Sequence, residues 1–288
     1  MSLPLGQQDM AVLHAEMLKI LLEFDRICKT HQIPYQLAAG TLLGAVRHQG
    51  FIPWDDDADV CMLREDYERF LKVAATEIGP DFFLHNNRTD AGVPYHFTKL
   101  RLISSKFQME GCRDLNTPCG AFIDIFPFDY VDTRSIFGMM RFELFNILDL
   151  LQISPFIVNN TQAGRKRAAY KKILLSIAVL AHKMVGVQRL KLWTNLILDN
   201  CRLLKTDQVT CVVSSLWRRK ARYARIRSYE QFTTLTSLRF SGYEFPVPAN
   251  YHQVLTNLYG DYMKLPPPHQ QVASHGAQLL QNKSHQKS

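Results

Sequence analysis

The stretch GTLLGAVRHQGFIPWDDDADVCM, Gly40 to Met62, constrains the fold more than any other part of this chain. It places Asp55, Asp56, Asp57 and Asp59 within five positions and then runs into the apolar residues Val60, Cys61 and Met62. Like charges this close repel, so the cluster needs open water or a counter-cation, and an apolar run beside it argues against open water. Residues two apart on a strand share a face, so Asp57 and Asp59 are predicted to point together, about 6.5 to 7 Å apart, with Ala58 and Val60 in the core. Two hard carboxylates so placed suit magnesium shared with a phosphate, with manganese as the alternative ion. A calcium loop of the EF-hand kind is excluded: Val60 stands where that loop needs glycine, and Asp66 where it needs a bidentate glutamate.

Two further features join this one. Asp124 sits in a similar apolar frame, FIDIF, and is a third candidate carboxylate. Upstream, Gly40 permits a tight turn after the short strand predicted in IPYQLAAG, and a helix is predicted in TLLGAVRH. The amides of Thr41 and Leu42 at that helix start are candidates to hold phosphate oxygens.

The chain has 288 residues, enough for one large domain or a domain with a sizeable insertion. Periodic apolar residues predict a helix over 10–31, capped by Asp9, and a second over 64–79 that buries Tyr67, Phe70, Leu71 and Ala74. Strands are predicted at ADVCML, PDFFLHN, YHFTKLRLI and GAFIDIFPFDYV, giving an α+β core with a mixed sheet over 1–133. The character then changes to apolar and basic residues at helical spacing, predicting a helical insertion over 134–228. Residues 229–270 return to the core, with a helix from Tyr251 to Tyr259, and 271–288 are expected to fray.

Net charge is +8, unevenly spread: between Gly164 and Arg227 there are 16 Lys/Arg and two Asp. The first residues carry no secretory signal and no apolar run reaches the roughly 18 residues of a span, so the expected location is cytoplasmic. The six cysteines form no CxxC pair and read as inert thiols; Cys112 with Cys119 is a weak zinc suggestion lacking two further ligands.

The run GTLLGAVRHQGFIPWDDDADVCMLREDYERF, with FTKLR, IDIFPFD and LYGDYMKLPPP, resembles the LicD family of phosphotransferases, to which the fukutin-type enzymes are related. The resemblance implies a nucleotidyltransferase-like core in which Gly40-Thr41, Asp57-Ala58-Asp59 and Asp124 build the magnesium site. It implies transfer of phosphocholine, or ribitol, glycerol or ethanolamine phosphate, from a CDP-linked donor to a sugar of a surface glycan, with CMP released. By position in the motif, Arg47, Lys99 and Arg101 are expected to meet the phosphates. Either Asp124 or Asp55 is expected to take the proton of the attacking hydroxyl. His48 is a candidate phosphate donor or a structural hydrogen-bonding group. Trp54 is expected to pack under the aspartate loop or to stack on a base or choline, and Tyr35, Tyr95, Tyr130, Tyr243 and Tyr259 are available to cage a quaternary ammonium.

The basic segment, with LWRRKARYARIRSY, suits an anionic surface. A lipid-linked acceptor makes peripheral attachment through 164–227 to the inner face of the cytoplasmic membrane the expected partner contact; nucleic acid is not expected. The rival readings are a D-x-D glycosyltransferase, a nucleotidyltransferase that leaves the nucleotide on its acceptor, and a basic binding module without catalysis.

Overall fold

The structure, a computed structural model, describes residues 6–90, 92–93, 95–108, 119–160, 169–202, 206–211, 226–273 and 277–279. Helix α1 (Gln7–Thr30) buries Leu13, Met17, Ile20, Leu21, Phe24, Ile27 and Cys28, the three- and four-residue stripe that its sequence carries. Asp9 is not its cap: Gly6 takes that position, and Asp9, in the first turn, accepts the Gly6 amide at 3.3 Å. A carboxylate there still meets the positive end of the helix.

A seven-stranded mixed sheet forms the centre, with helices around it, so the fold is α+β. Strands β1 (Gln36–Leu37), β2 (Asp59–Leu63), β6 (Phe122–Tyr130), β4 (Thr98–Leu102) and β3 (Phe82–His85) lie side by side in that order. Beyond β6 come β7 (Gln208–Cys211) and β8 (Arg227–Ser228). β2 and β6 are parallel, joined by a crossover through α3 (Arg64–Glu77), β3, β4 and the short β5 (Phe107–Gln108); the other pairings are antiparallel. β6 serves three neighbours, β4 with its first residues, β2 in the middle and β7 at its end. Pro127 falls between the stretches paired with β4 and β7, where a missing N–H leaves no bond unmade on that edge.

One face of the sheet, with Val60, Met62, Leu100, Ile123 and Ile125, packs on α1 and α3 as the main core. Alternation sends Asp59, Cys61, Asp124, Phe126 and Phe128 to the other face. There Ala38, Cys61, Phe128, Val209 and Phe232 make a smaller apolar cluster. Arg64, at the start of α3, is tied to Asp129 of β6 by two hydrogen bonds of 2.8 and 2.6 Å, both residues buried.

Helices α4 (Ile136–Asn160), α5 (Ala169–Val185) and α6 (Val187–Arg202) follow, α5 and α6 meeting at Gly186 with φ 84. Among the described residues no single helix is long and apolar enough to cross a membrane. The segment predicted as helical over 134–228 is not helical throughout. β7 and β8 bring it back to the sheet, because the two short strands extend the edge that the end of β6 exposes. Helix α7 (Glu230–Thr233), the hairpin β9 (Leu235–Phe240) and β10 (Tyr243–Pro248), and α8 (Tyr251–Tyr259) close the chain around the site. Of the predicted tail, 271–273 and 277–279 are described. Buried Asp56 accepts the amide of Ala277, and β11 (Gln278–Leu279) pairs with β5, while 280–288 lie outside the described residues.

Candidate functional site

The register of the parallel pair sets the centre. Asp59 opens β2 and stands opposite Asp124 of β6, and the Asp124 amide donates to the Ala58 carbonyl at 2.7 Å. Asp57, in the loop before β2, completes a set whose carboxylate oxygens lie within 4.8 Å of one another. Asp59 and Asp124 are buried and Asp57 half-buried. Burial first, then the charges of Asp57, Asp124 and Asp55, hold the Asp59 carboxyl well above the usual carboxylate range; Lys99 works the other way. So much negative charge in a closed space is what a hard divalent cation would relieve, and three carboxylate oxygens are a donor set that fits one.

Lys99 enters from β4, opposite Asp124 in register, and donates to its Oδ1 at 2.6 Å. Burial lowers its pKa, and Asp124 opposes the shift. Its ammonium also lies over the ring of Phe122, 3.5 Å from the centroid.

The glycine turn works differently from its sequence reading. Helix α2 (Ala39–His48) begins before Gly40, and the positive φ falls on Ala39, at 42. Gly40 is needed for another reason: a Cβ there would lie 2.6 Å from Oδ2 of Asp55. Thr41 is buried, and its hydroxyl accepts the Asp59 amide at 2.7 Å, locking α2 to the start of β2. Leu42 gives up its role as a phosphate donor, because its amide donates to the Ala38 carbonyl as the first helical bond and its side chain is in the core.

Two cations read as phosphate contacts are also engaged elsewhere. Arg101 is 2% exposed, and its guanidinium donates to Nδ1 of His85 at 2.9 Å and to the Gly120 carbonyl at 3.1 Å. Since an arginine only donates, Nδ1 of His85 is the acceptor, which leaves Nε2–H to donate to Asp90 at 3.1 Å. Arg47 reaches across to the carbonyl of Tyr262 at 2.8 Å, tying α2 to the chain after α8. His48 stands edge-on to Trp54 at 6.3 Å, its pKa lowered by burial and then by Arg47. Trp54 packs against the main core. Of the five tyrosines, Tyr35 is buried and donates to Asp25, whereas Tyr95 lies by Lys99.

Several residues around the site carry no motif signal. His14 of α1 bonds the Asp55 carbonyl at 2.8 Å and stacks on Phe51, so the helix that packs on the main core also steadies the aspartate loop. Asp56 faces away toward Ala277. Arg227 of β8 reaches Sγ of Cys61 at 3.7 Å and lies over Phe128. A charged residue in an apolar frame, as Asp129 in FPFDY, was the one available clue. Cys28 and Cys61 are buried thiols, and burial pushes Cys61 up to about 11. The zinc suggestion at Cys112 and most of LWRRKARYARIRSY lie outside the described residues.

A family model for the nucleotidyltransferase domain of LicD, FKTN and FKRP matches residues 32–142. The chain is 30% identical over 267 residues to the lipopolysaccharide cholinephosphotransferase LicD of Haemophilus influenzae, covering 90% of this chain and 92% of that protein. An uncharacterized protein of Rickettsia typhi is 40% identical over 55 residues, 19% of this chain and 18% of its own.

Proposed function

Because the chain belongs to the LicD family, we propose that it moves phosphocholine from CDP-choline to a sugar of a lipopolysaccharide or teichoic-acid type surface glycan, releasing CMP. The observation that carries this reading is the meeting of Asp57, Asp59 and Asp124 across a parallel strand pair, with Lys99 against Asp124. These three aspartates would hold Mg²⁺, or Mn²⁺ in its place, which supplies charge neutralisation at the donor pyrophosphate and at the departing CMP.

The protein's own groups do the rest. A sugar hydroxyl oxygen bonds to the phosphorus that carries choline, the bond from that phosphorus to the bridging oxygen breaks, and the hydroxyl proton goes to a carboxylate. Asp124 already accepts from Lys99, so Asp55, beside the three but outside their set, is the base in this reading. Lys99 both steadies Asp124 and offers a cation to the phosphates. Gly40 leaves room for the Asp55 carboxylate.

The test is mass spectrometry of the full chain with Mg²⁺, glycan precursors and CDP-linked donors, with Asp57→Ala as control. CMP release with a phosphocholine mass gain on a glycan, absent in the control, is the expected result. A gain of the nucleotide mass would assign nucleotidyl transfer instead, and turnover of sugar nucleotides alone would assign glycosyl transfer.

Contact with an anionic bilayer is the partner reading for the helical segment. On α5, Leu175 and Ala178 face inward, while Ile173, Ile177, Leu180 and Met184, at three- and four-residue spacing, are 57% to 76% exposed. Lys183 and Arg189 are exposed on α5 and α6, and the surrounding sequence is strongly basic. An apolar ridge with a basic surround complements anionic lipid more closely than a second copy of the same positive surface. Flotation with phosphatidylglycerol vesicles, lost in Ile177→Glu and absent with phosphatidylcholine, is expected; a dimer in solution with no flotation would overturn it.

A further inference from the structure

The carboxylates share their face of the sheet with a row of aromatic rings that the transfer chemistry leaves unexplained. Phe126 is two residues beyond Asp124 on β6, so alternation puts its ring beside the charged row, and Phe97, in the bend just before β4, lies against Phe126 and under the Lys99 ammonium. Their centroids are 4.7 Å apart, and Tyr95 stacks on Phe97 at 4.4 Å. All three are half-buried, although rings this size usually bury fully when they serve the core alone. The Tyr95 hydroxyl meets His85 at 3.3 Å, which is itself held by Arg101, so the stack is oriented from behind.

These rings already face a cation. The Lys99 ammonium lies 5.3 Å from the Phe97 centroid and 5.7 Å from that of Tyr95, within the roughly 6 Å over which ring faces attract positive charge. One strand repeat, about 7 Å, separates the row from the carboxylates. The two-carbon arm of choline is short enough that a phosphate at the carboxylate end leaves its nitrogen over the rings.

We propose that Phe97, Phe126 and Tyr95 form the subsite for the quaternary ammonium of the donor, and so select choline over uncharged alcohols; this rests on the CDP-choline reading above. A trimethylammonium holds its water loosely and has no proton to give to a carboxylate, so ring faces bind it where an ordinary ion pair would not. The nucleotide half of the donor is common to every CDP compound and makes no use of this row.

The experiment compares CDP-choline with CDP-glycerol on the full chain and on Phe97→Leu and Phe126→Leu, with Phe97→Tyr as the variant that keeps a ring. KM for CDP-choline should rise about ten-fold in the leucine variants, KM for CDP-glycerol should stay within about two-fold, and tyrosine should restore choline use. An equal loss on both donors would place the shared nucleotide over the rings and overturn the proposal, as would a lower melting temperature with unchanged donor preference. If the wild-type chain turns over no CDP donor, the transfer reading fails by itself. Calorimetric binding of phosphocholine then decides this one: binding weakened by Phe97→Leu supports it, and no binding to the wild type overturns it.

Discussion

The sheet and the helices α4 to α6 handle buried polar groups by opposite means. In the sheet, charges are set against one another: Arg64 against Asp129 and Lys99 against Asp124, with the surplus negative charge gathered at Asp57, Asp59 and Asp124. In the helices the buried polar residues are mostly neutral, and Asn146, Ser154 and Thr194 bond back to carbonyls three or four residues earlier. Large apolar residues such as Phe137 and Met184, 77% and 76% exposed, lie outside instead. The sheet therefore keeps its unmet requirement inside, as charge, and the helices keep theirs outside, as apolar surface. Each region should answer a different substitution.

The largest expected effect is at the carboxylates. Asp59→Asn keeps the volume and removes the charge, so turnover should fall on the order of 10⁴-fold, about 5 kcal/mol of lost stabilisation. Because the ionised form of Asp59 is disfavoured by burial, the metal-free variant should melt no lower than the wild type. The matching change in the helices, Asp199→Asn, should alter neither turnover nor melting. A comparable loss of turnover from Asp199→Asn would break the comparison.

Next is the buried ion pair. Arg64→Ala leaves Asp129 charged and enclosed, which should cost about 4 kcal/mol of folding stability in denaturant titration. Lys183→Ala on the exposed side of α5 should change it by less than about 0.5 kcal/mol.

The seam between the two regions gives a pH test. His96, next to the sheet, faces Asp149 and Gln152 of α4, with Arg64, Asp129 and Lys191 also near. Burial lowers its pKa from 6.5 to about 4, so the folded chain binds fewer protons than the unfolded one between those values. The contribution is fully present above pH 6.5 and is lost as pH falls toward 4, up to roughly 3 kcal/mol. His96→Gln should flatten that part of the stability profile, and an unchanged slope would place the acid sensitivity elsewhere.

What the sequence made legible follows the same division. Helices α1, α3 and α8 were readable because each writes its buried face at helical spacing, and the paired aspartates because they interrupt an apolar run. The registry that puts Asp59 opposite Asp124 is a long-range fact with no local trace, as are Arg64 with Asp129, His14 with Asp55, and Asp56 with Ala277. β7 and β8, four and two residues long, are too short to show a period, so their return to the sheet was hidden inside a helical pattern. Arg101 was misread because a cation in a strand looks alike whether it faces a ligand or a buried histidine.

The smallest and most discriminating test makes one substitution in both regions. Gly40 lies in the first turn of α2, where alanine suits the backbone, and the sole close obstacle to a Cβ is the movable carboxylate of Asp55. Gly40→Ala should therefore keep the melting temperature and lower turnover about ten-fold by displacing that carboxylate, a loss of about 1.4 kcal/mol. Gly186 has open space around it but a φ of 84, which a side chain resists. Gly186→Ala should cost about 1 kcal/mol of stability and leave turnover unchanged. The two glycines thus separate space needed for chemistry from backbone freedom needed for folding. If Gly40→Ala lowers the melting temperature and spares turnover, Asp55 has no part in the reaction, and the proton must go to Asp124.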